Sequence, residues 1–276
     1  MLASRELAQI HPTNLRIHDV LKKQGYRTHF WVSGDHRAYE NLRDCYGPGV
    51  DIFRDGLDPT NEYTTNDDRN MINAVRQLPA FDGTPGFVYF HFMSAHETGV
   101  LQPEAQQWPH PKARPPLSLH RGMLIVPADS HDKGTLQADL HLRRLFAALE
   151  SRGYLQDAIV AITADHGQSL EEHDIVGHRT NLHEPELRVP LYLVDPQRGK
   201  RGPLPPFASQ IDIGPTVSDL LGLPVPVTWA GRSLLRQPRK RAFFTCSSTF
   251  PWSSTNPESG FIEPTATHCW KFLYRP

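Results

Sequence analysis

The densest run of groups able to do chemistry lies between Val160 and Pro196, "VAITADHGQSLEEHDIVGHRTNLHEPELRVPLYLVDP". An apolar run, Ala158 to Ala164, ends in Asp165-His166-Gly167, and His173, His178 and His183 follow before the next apolar run. An ordinary buried strand stops at a turn, whereas this one delivers a carboxylate and an imidazole to its end. That pair is a donor set for a divalent transition metal such as zinc or manganese. Two adjacent ligands cannot close a site, so others must come from elsewhere. The bland alternative is a strand-to-turn Asp beside a hydrogen-bonded His. A second apolar strand, "FVYFHFMSAH", ends in His96. The chain has 15 histidines, so only those in a pattern carry weight.

These groups need elements to position them. "NLRIHDVLKKQ" places Leu15, Ile17, Val20 and Leu21 near one helical face, with Gly25 as a stop. "YRTHFWVSG" reads as a strand, "DDRNMINAVRQL" as a helix, and "GFVYFHFMSAHE" as a second strand. The clearest helix runs from about Lys133 to Arg152, with Ala138, Leu142, Leu145, Phe146 and Leu149 at helical spacing. "DAIVAITA" is a continuous apolar strand, as expected where helices cover both sheet faces. "RVPLYLVD" is another strand, and "QIDIGPTVSDLLGL" a short helix with Pro215 in its first turn. Strand and helix alternate up to about residue 222, which predicts an α/β domain, 1–236, with a mostly parallel central sheet flanked by helices. In such sheets ligands bind at the carboxyl ends of strands. "RAFFTCSSTF" and "HCWKFLYRP" predict a small antiparallel C-terminal appendage, 237–276. Residues 99–130 are too rich in proline for regular structure and read as a surface insertion.

Composition narrows the function classes. With 29 Lys+Arg against 30 Asp+Glu the formal net charge is −1, which argues against a nucleic-acid binder but not against a small anionic substrate. Hydrophobic residues make up 38% and there are 25 prolines, a compact core with long loops. No apolar run approaches the roughly 20 residues that span a bilayer. Cys45, Cys246 and Cys269 form no metal pattern, and only Cys246 with Cys269 would pair, if their strands are adjacent.

The order Asp165-His166-Gly167, Gly177-His178, "HEPELRVPL", "DIGPTVSDLLGL" and "AGRSLL" resembles the sulfatase-like branch of the alkaline phosphatase superfamily. "TLQADLHLRRLFAALESRGYLQDAIVAITADHG" is similar to that family's entry to its metal site, and "LKKQGYRTHFWVSGD" to its early helix-strand unit. The resemblance implies an alkaline phosphatase-like fold and metal-dependent hydrolysis or transfer of a sulfate or phosphate ester group. It implies that Asp165 and His166 bind the metal, zinc first, with manganese or calcium as alternatives. It also implies that His178 and His96 contact the transferred group. The gap 178 − 166 = 12 is that of the phosphoethanolamine-transferase-like members. His36, in "SGDHRAYEN", is a weaker third candidate, and "YENLR" departs from the lipoteichoic-acid-synthase pattern. The implied partner is a small anionic ester or lipid head group, with membrane contact only through a region outside this chain and the domain in the periplasm or outside the cell.

Bland readings stand beside these. His91 alternates with apolar residues and reads as a core histidine, His183 as a stacking or capping group, and Asp139 as a tie between helix and loop. Glu171 and Glu172 read as a solvated acidic loop. The family's nucleophile segment and first acidic ligand lie before the "LKKQGYRT" helix, where this chain has about a dozen residues. Neither Ser4 nor Thr13 sits in a nucleophile pattern, and no cysteine is placed for conversion to formylglycine. The chain thus reads as a sulfatase-like domain without its first strand. The alternative to an enzyme is a remnant that binds metal or anion without turnover.

Overall fold

The computed structural model describes residues 14–38, 42–96, 98–106, 119–120, 123–124, 128–170, 172–174, 176–178, 182–199, 202, 207–236, 240–246, 258–264 and 269–274. The chain divides into two compact units, Gln9–Ala158 and Ile159 to the C-terminus.

In the first unit, α1 (Ile17–Lys23) leads through Gly25 into β1 (Arg27–Val32). Short α2 (Leu42–Tyr46) precedes β2 (Ile52–Arg54), and α3 (Arg69–Arg76) precedes β3 (Gly86–His91). The order is β2-β1-β3 and both pairings are parallel, with Thr28 opposite Phe87 and Trp31 opposite Phe90. Successive side chains of β1 point to opposite faces, and each face is covered. Trp31 joins Met71, Val75 and Leu78, from α3 and its C-terminal end, and Leu145, Ala148 and Leu149 of α5 in the core. Phe30, on the other face, packs edge-on against His18 of α1 and near Tyr46. Helix α5 (Ala128–Ser151) is the long helix the spacing predicts, begun five residues earlier than the periodicity shows. Between β3 and α5 lie α4 (Pro103–Gln106) and two-residue strands β4 (Leu119–His120) and β5 (Met123–Leu124). Regular structure therefore occurs in the proline-rich insertion, much of which lies outside the described residues.

In the second unit, β6 (Val160–Thr163) is followed by β7 (Ser169–Leu170), β8 (Val176–Gly177), α6 (Glu184–Leu187) and β9 (Leu191–Val194). β6 and β9 pair antiparallel, Val160 opposite Val194 and Thr163 opposite Leu191. This corrects the reading of β6 as a strand in parallel company: four-residue α6 is too short to carry the chain back along the strand for a parallel return. Nor is the pair covered on both faces, for Tyr192 and Val194 are exposed. Helix α7 (Ile213–Leu220) is entered through a 3-10 turn at Gln210–Asp212. The C-terminal sheet has order β10-β11-β12: β10 (Ala242–Cys246), β11 (Glu258–Pro264) and β12 (Cys269–Tyr274), all antiparallel. Its middle strand falls where the sequence shows only a loop. It separates the two cysteine-bearing strands, Cys246 standing opposite Glu258 and Cys269 opposite Pro264, so the strand adjacency that their pairing would require is not met. Among the described residues no helix is long and apolar enough to cross a membrane.

Candidate metal and anion site

β6 hands its chain to Asp165, His166 and Gly167. The turn is held from two sides. Gln210 donates from Nε2 to the carbonyls of Ala164 and Asp165, 2.6 and 2.7 Å. Gly167 N–H donates to the Glu186 carbonyl at 2.8 Å. A Cβ at Gly167 would lie 1.9 Å from the Pro185 carbonyl oxygen, so the third letter of the D-H-G motif is the absence of a side chain where α6 meets the turn. Gly167→Ala is therefore expected to push the turn off α6 and lower the melting temperature by several degrees. Thermal unfolding followed by circular dichroism checks this, and an unchanged midpoint contradicts it.

His166 donates from Nδ1 to the Gly167 carbonyl at 2.8 Å. With a hydrogen fixed on Nδ1, Nε2 is the nitrogen left to act as a ligand, the arrangement metal-binding histidines adopt when their other nitrogen is tied to a carbonyl. Nε2 stands 3.6 Å from Oδ2 of Asp165. Two electron-rich atoms at that separation suit a shared cation, since ligand bonds of about 2.0–2.2 Å would then subtend about 120°. The donor set of one imidazole and one carboxylate fits zinc or manganese. Among the described residues no cluster of three or more ligating side chains is formed, so any further donors lie outside this pair.

His178 is brought back to this turn by the β7–β8 hairpin, in which Ser169 faces Gly177. Gly177 has φ +98°, a conformation that glycine adopts without steric penalty. The His178 ring stacks on His166 with centroids 4.1 Å apart. Its Nδ1 is 2.9 Å from Oε1 of Gln168, so that nitrogen donates and the lone pair is on Nε2. Asp165, His166 and His178 thus form one group. In the same hairpin His173, at φ +57°, stacks on His183 at 4.2 Å, in keeping with the stacking role expected of His183. Glu172 is more than a solvated acid: it accepts the Leu170 N–H at 2.6 Å and closes the hairpin. Glu171 lies outside the described residues.

His96 belongs to the first unit, in the turn after β3. Its Nδ1 accepts from the Thr98 backbone N–H at 3.2 Å and lies 2.9 Å from the Thr98 hydroxyl. Because a backbone amide can only donate, the His96 proton sits on Nε2. His36 is a different case. It is buried, with Nε2 on the Ser33 carbonyl at 2.9 Å and Nδ1 on the Tyr46 hydroxyl at 2.8 Å, so both nitrogens are spent inside the fold. Burial first, and neighbouring His91 second, lower its pKa to about 4. His91 is half-buried and edge-on to His36 at 5.1 Å, the packed histidine expected. Asp139 is exposed, and among the described residues it meets Arg143 of its own helix at 3.8 Å rather than a loop.

The downstream motifs turn out to be joinery. Asp212 accepts the N–H groups of Ser209 and Arg232 at 3.0 and 2.9 Å, and Thr216 receives Leu234 N–H at 3.0 Å. Asp219 is held below the usual carboxylate range chiefly by Arg236, 2.5 Å away. Thus the D, T and D of "DIGPTVSD" grip the "GRSLLR" segment. Sequence reasoning missed Gln168 and Gln210. Both are glutamines without periodicity, and the only signal was their position after a strand end and before a helix.

The sulfatase family model matches residues 3–223. The chain belongs to the sulfatase family. Arylsulfatase K of Rattus norvegicus is 32% identical to this sulfatase-family chain over 99 residues, 36% of the chain and 17% of the relative. The matched stretch is thus under a fifth of that protein's length. Among solved structures, the lipoteichoic acid synthase LtaP from Listeria monocytogenes shares the fold at a TM-score of 0.62 with 18% identity, covering 95% of this chain and 65% of that one. The zinc complex of the C-terminal periplasmic domain of EptC from Escherichia coli does so at 0.60 with 15% identity, over 88% and 74%. At these identities the sulfatase likeness is one of fold: α/β with a parallel sheet and smaller antiparallel ones.

Proposed function

We propose that this sulfatase-family chain serves metal-dependent hydrolysis or transfer of a sulfate or phosphate ester group. The observation that carries the reading is the polarity of the Asp165–His166 pair, with His166 tied through Nδ1 so that Nε2 is left to a cation beside the carboxylate. Asp165 and His166 would hold the metal, for which zinc is the first choice and manganese or calcium the alternatives; the zinc complex of the E. coli neighbour supports that order. When bound, the metal supplies charge stabilisation to the ester's oxygens.

The chain's own groups do the rest. His178, with its proton on the Gln168 side, presents an Nε2 that takes up a proton and returns it to a leaving oxygen. His96, with its proton on Nε2, is a hydrogen-bond donor to the anion of the transferred group. Tetrahedral sulfate and phosphate make the same demands on such donors. The arylsulfatase and lipoteichoic acid synthase relatives support a small anionic ester or a lipid head group as substrate.

The test is turnover of 4-nitrophenyl sulfate and 4-nitrophenyl phosphate by the full chain, stripped with chelator and reloaded with zinc, manganese or calcium. Metal-dependent release of nitrophenol that falls about 10²–10⁴-fold in His178→Asn supports the assignment. Metal uptake without release of nitrophenol from either ester overturns the ester chemistry and leaves a domain that binds without turnover.

A further inference from the structure

The motif "NDDRN" at the head of α3 is not used by the chemistry above, yet three consecutive residues of it each hold a different point of the turn that carries His96. Asn66 donates from Nδ2 to the Thr98 carbonyl at 3.0 Å. Asp67 accepts Nε2 of Gln102 at 3.3 Å. Asp68, almost wholly buried, spends its carboxylate on the N–H groups of Met93 and Ser94, 2.9 and 2.8 Å, on the Ser94 hydroxyl, and on Ser33 Oγ of the neighbouring strand end at 2.6 Å. Although it stands at the N-cap position of α3, its side chain makes no bond to that helix. From the opposite side, buried Gln137 of α5 accepts Gln102 N–H at 2.6 Å and donates to the Val100 carbonyl and Ser94 Oγ at 2.7 and 3.1 Å.

We propose that Asn66, Asp68 and Gln137 are positioning residues for His96: they clasp the 93–102 turn at its start, middle and end. The clasp thereby keeps the Thr98 N–H on Nδ1 and the His96 proton on Nε2. The role rests on the proposed part of His96 in holding the transferred group, but the clasp is read from geometry within one unit and stands apart from it. Without such ties the 93–102 turn would let the imidazole swing and exchange its proton between nitrogens. A displacement of about 1 Å is enough to cost about 10²-fold in rate.

The experiment compares the full chain with Asn66→Ala and Gln137→Met by long-range nitrogen–proton correlation of the His96 imidazole, which separates the two tautomers, and by ester turnover. Asn66 is only half-buried, so its variant keeps the fold even where Gln137→Met loses stability. The expected result is a single Nε2–H pattern in the parent and a mixture of tautomers in the variants. It comes with kcat lower by about 10–100-fold and KM little changed. A single unchanged tautomer in both variants overturns the clasp, whatever happens to the rate. Mixed tautomers with unchanged turnover uphold the clasp and overturn the part given to His96 in the chemistry. Because the spectroscopic arm reads the ring itself, it decides the proposal even in a chain without measurable turnover.

Discussion

His166→Ala is expected to lower zinc affinity by more than about 100-fold. Loss of groups that merely orient a metal ligand costs about 10–100-fold, and loss of the ligand itself must exceed that. Of the pair only Asp165, a largely exposed carboxylate, would remain to hold the ion against water. The measurement is zinc retained at equilibrium against a chelator of known affinity. Gln168→Ala is the natural control, because Gln168 touches His178 and not His166. That variant should keep its zinc and lose turnover. Equal zinc affinity in His166→Ala and the parent would remove this pair from the metal.

The second large effect is acid instability of the first unit, with His36 as its main source. The folded-state pKa of His36 is about 4, pressed down by burial and by His91, against an ordinary value of 6.5. Burial likewise lowers His18 and His29. The sign follows from proton counts: below pH 6.5 the unfolded chain takes up protons that these folded histidines refuse, so stability is full above that pH. It is lost as pH falls from 6.5 towards about 4. The lowering from 6.5 to about 4 at His36 alone corresponds to about 3 kcal/mol. Chemical denaturation at pH 7 and pH 4.5 should show that loss, and His36→Phe should flatten the dependence while sacrificing the hydrogen bonds to Ser33 and Tyr46. A parent chain equally stable at both pH values contradicts the account.

What the sequence disclosed was decided by how local the cause is. The repeat of Leu142, Leu145, Phe146 and Leu149 announces α5 because a helix is written in neighbours three and four apart. Asp165, His166 and His178 were legible from their place after a strand, and the hairpin that unites them spans a dozen residues. The pairing of β6 with β9 was not, since nothing in either strand records which neighbour lies alongside or in which direction. Asp68 is the sharpest case. An Asp before a helix reads as a cap, but its partners Ser33, Met93 and Ser94 are 25 to 35 residues away. No window over the chain contains them all. The same holds for His36, whose two nitrogens are taken up by Tyr46 and Ser33.

The bond from the Thr98 amide to His96 has a consequence for how this turn tolerates variation. Its donor is main chain, so nearly every replacement at position 98 leaves the amide in place. Proline is the exception, because it alone among the coded residues has no N–H to give. The amide's hold on His96 therefore survives side-chain drift at position 98: most replacements forfeit only the hydroxyl contact at 2.9 Å, and proline alone forfeits the amide as well.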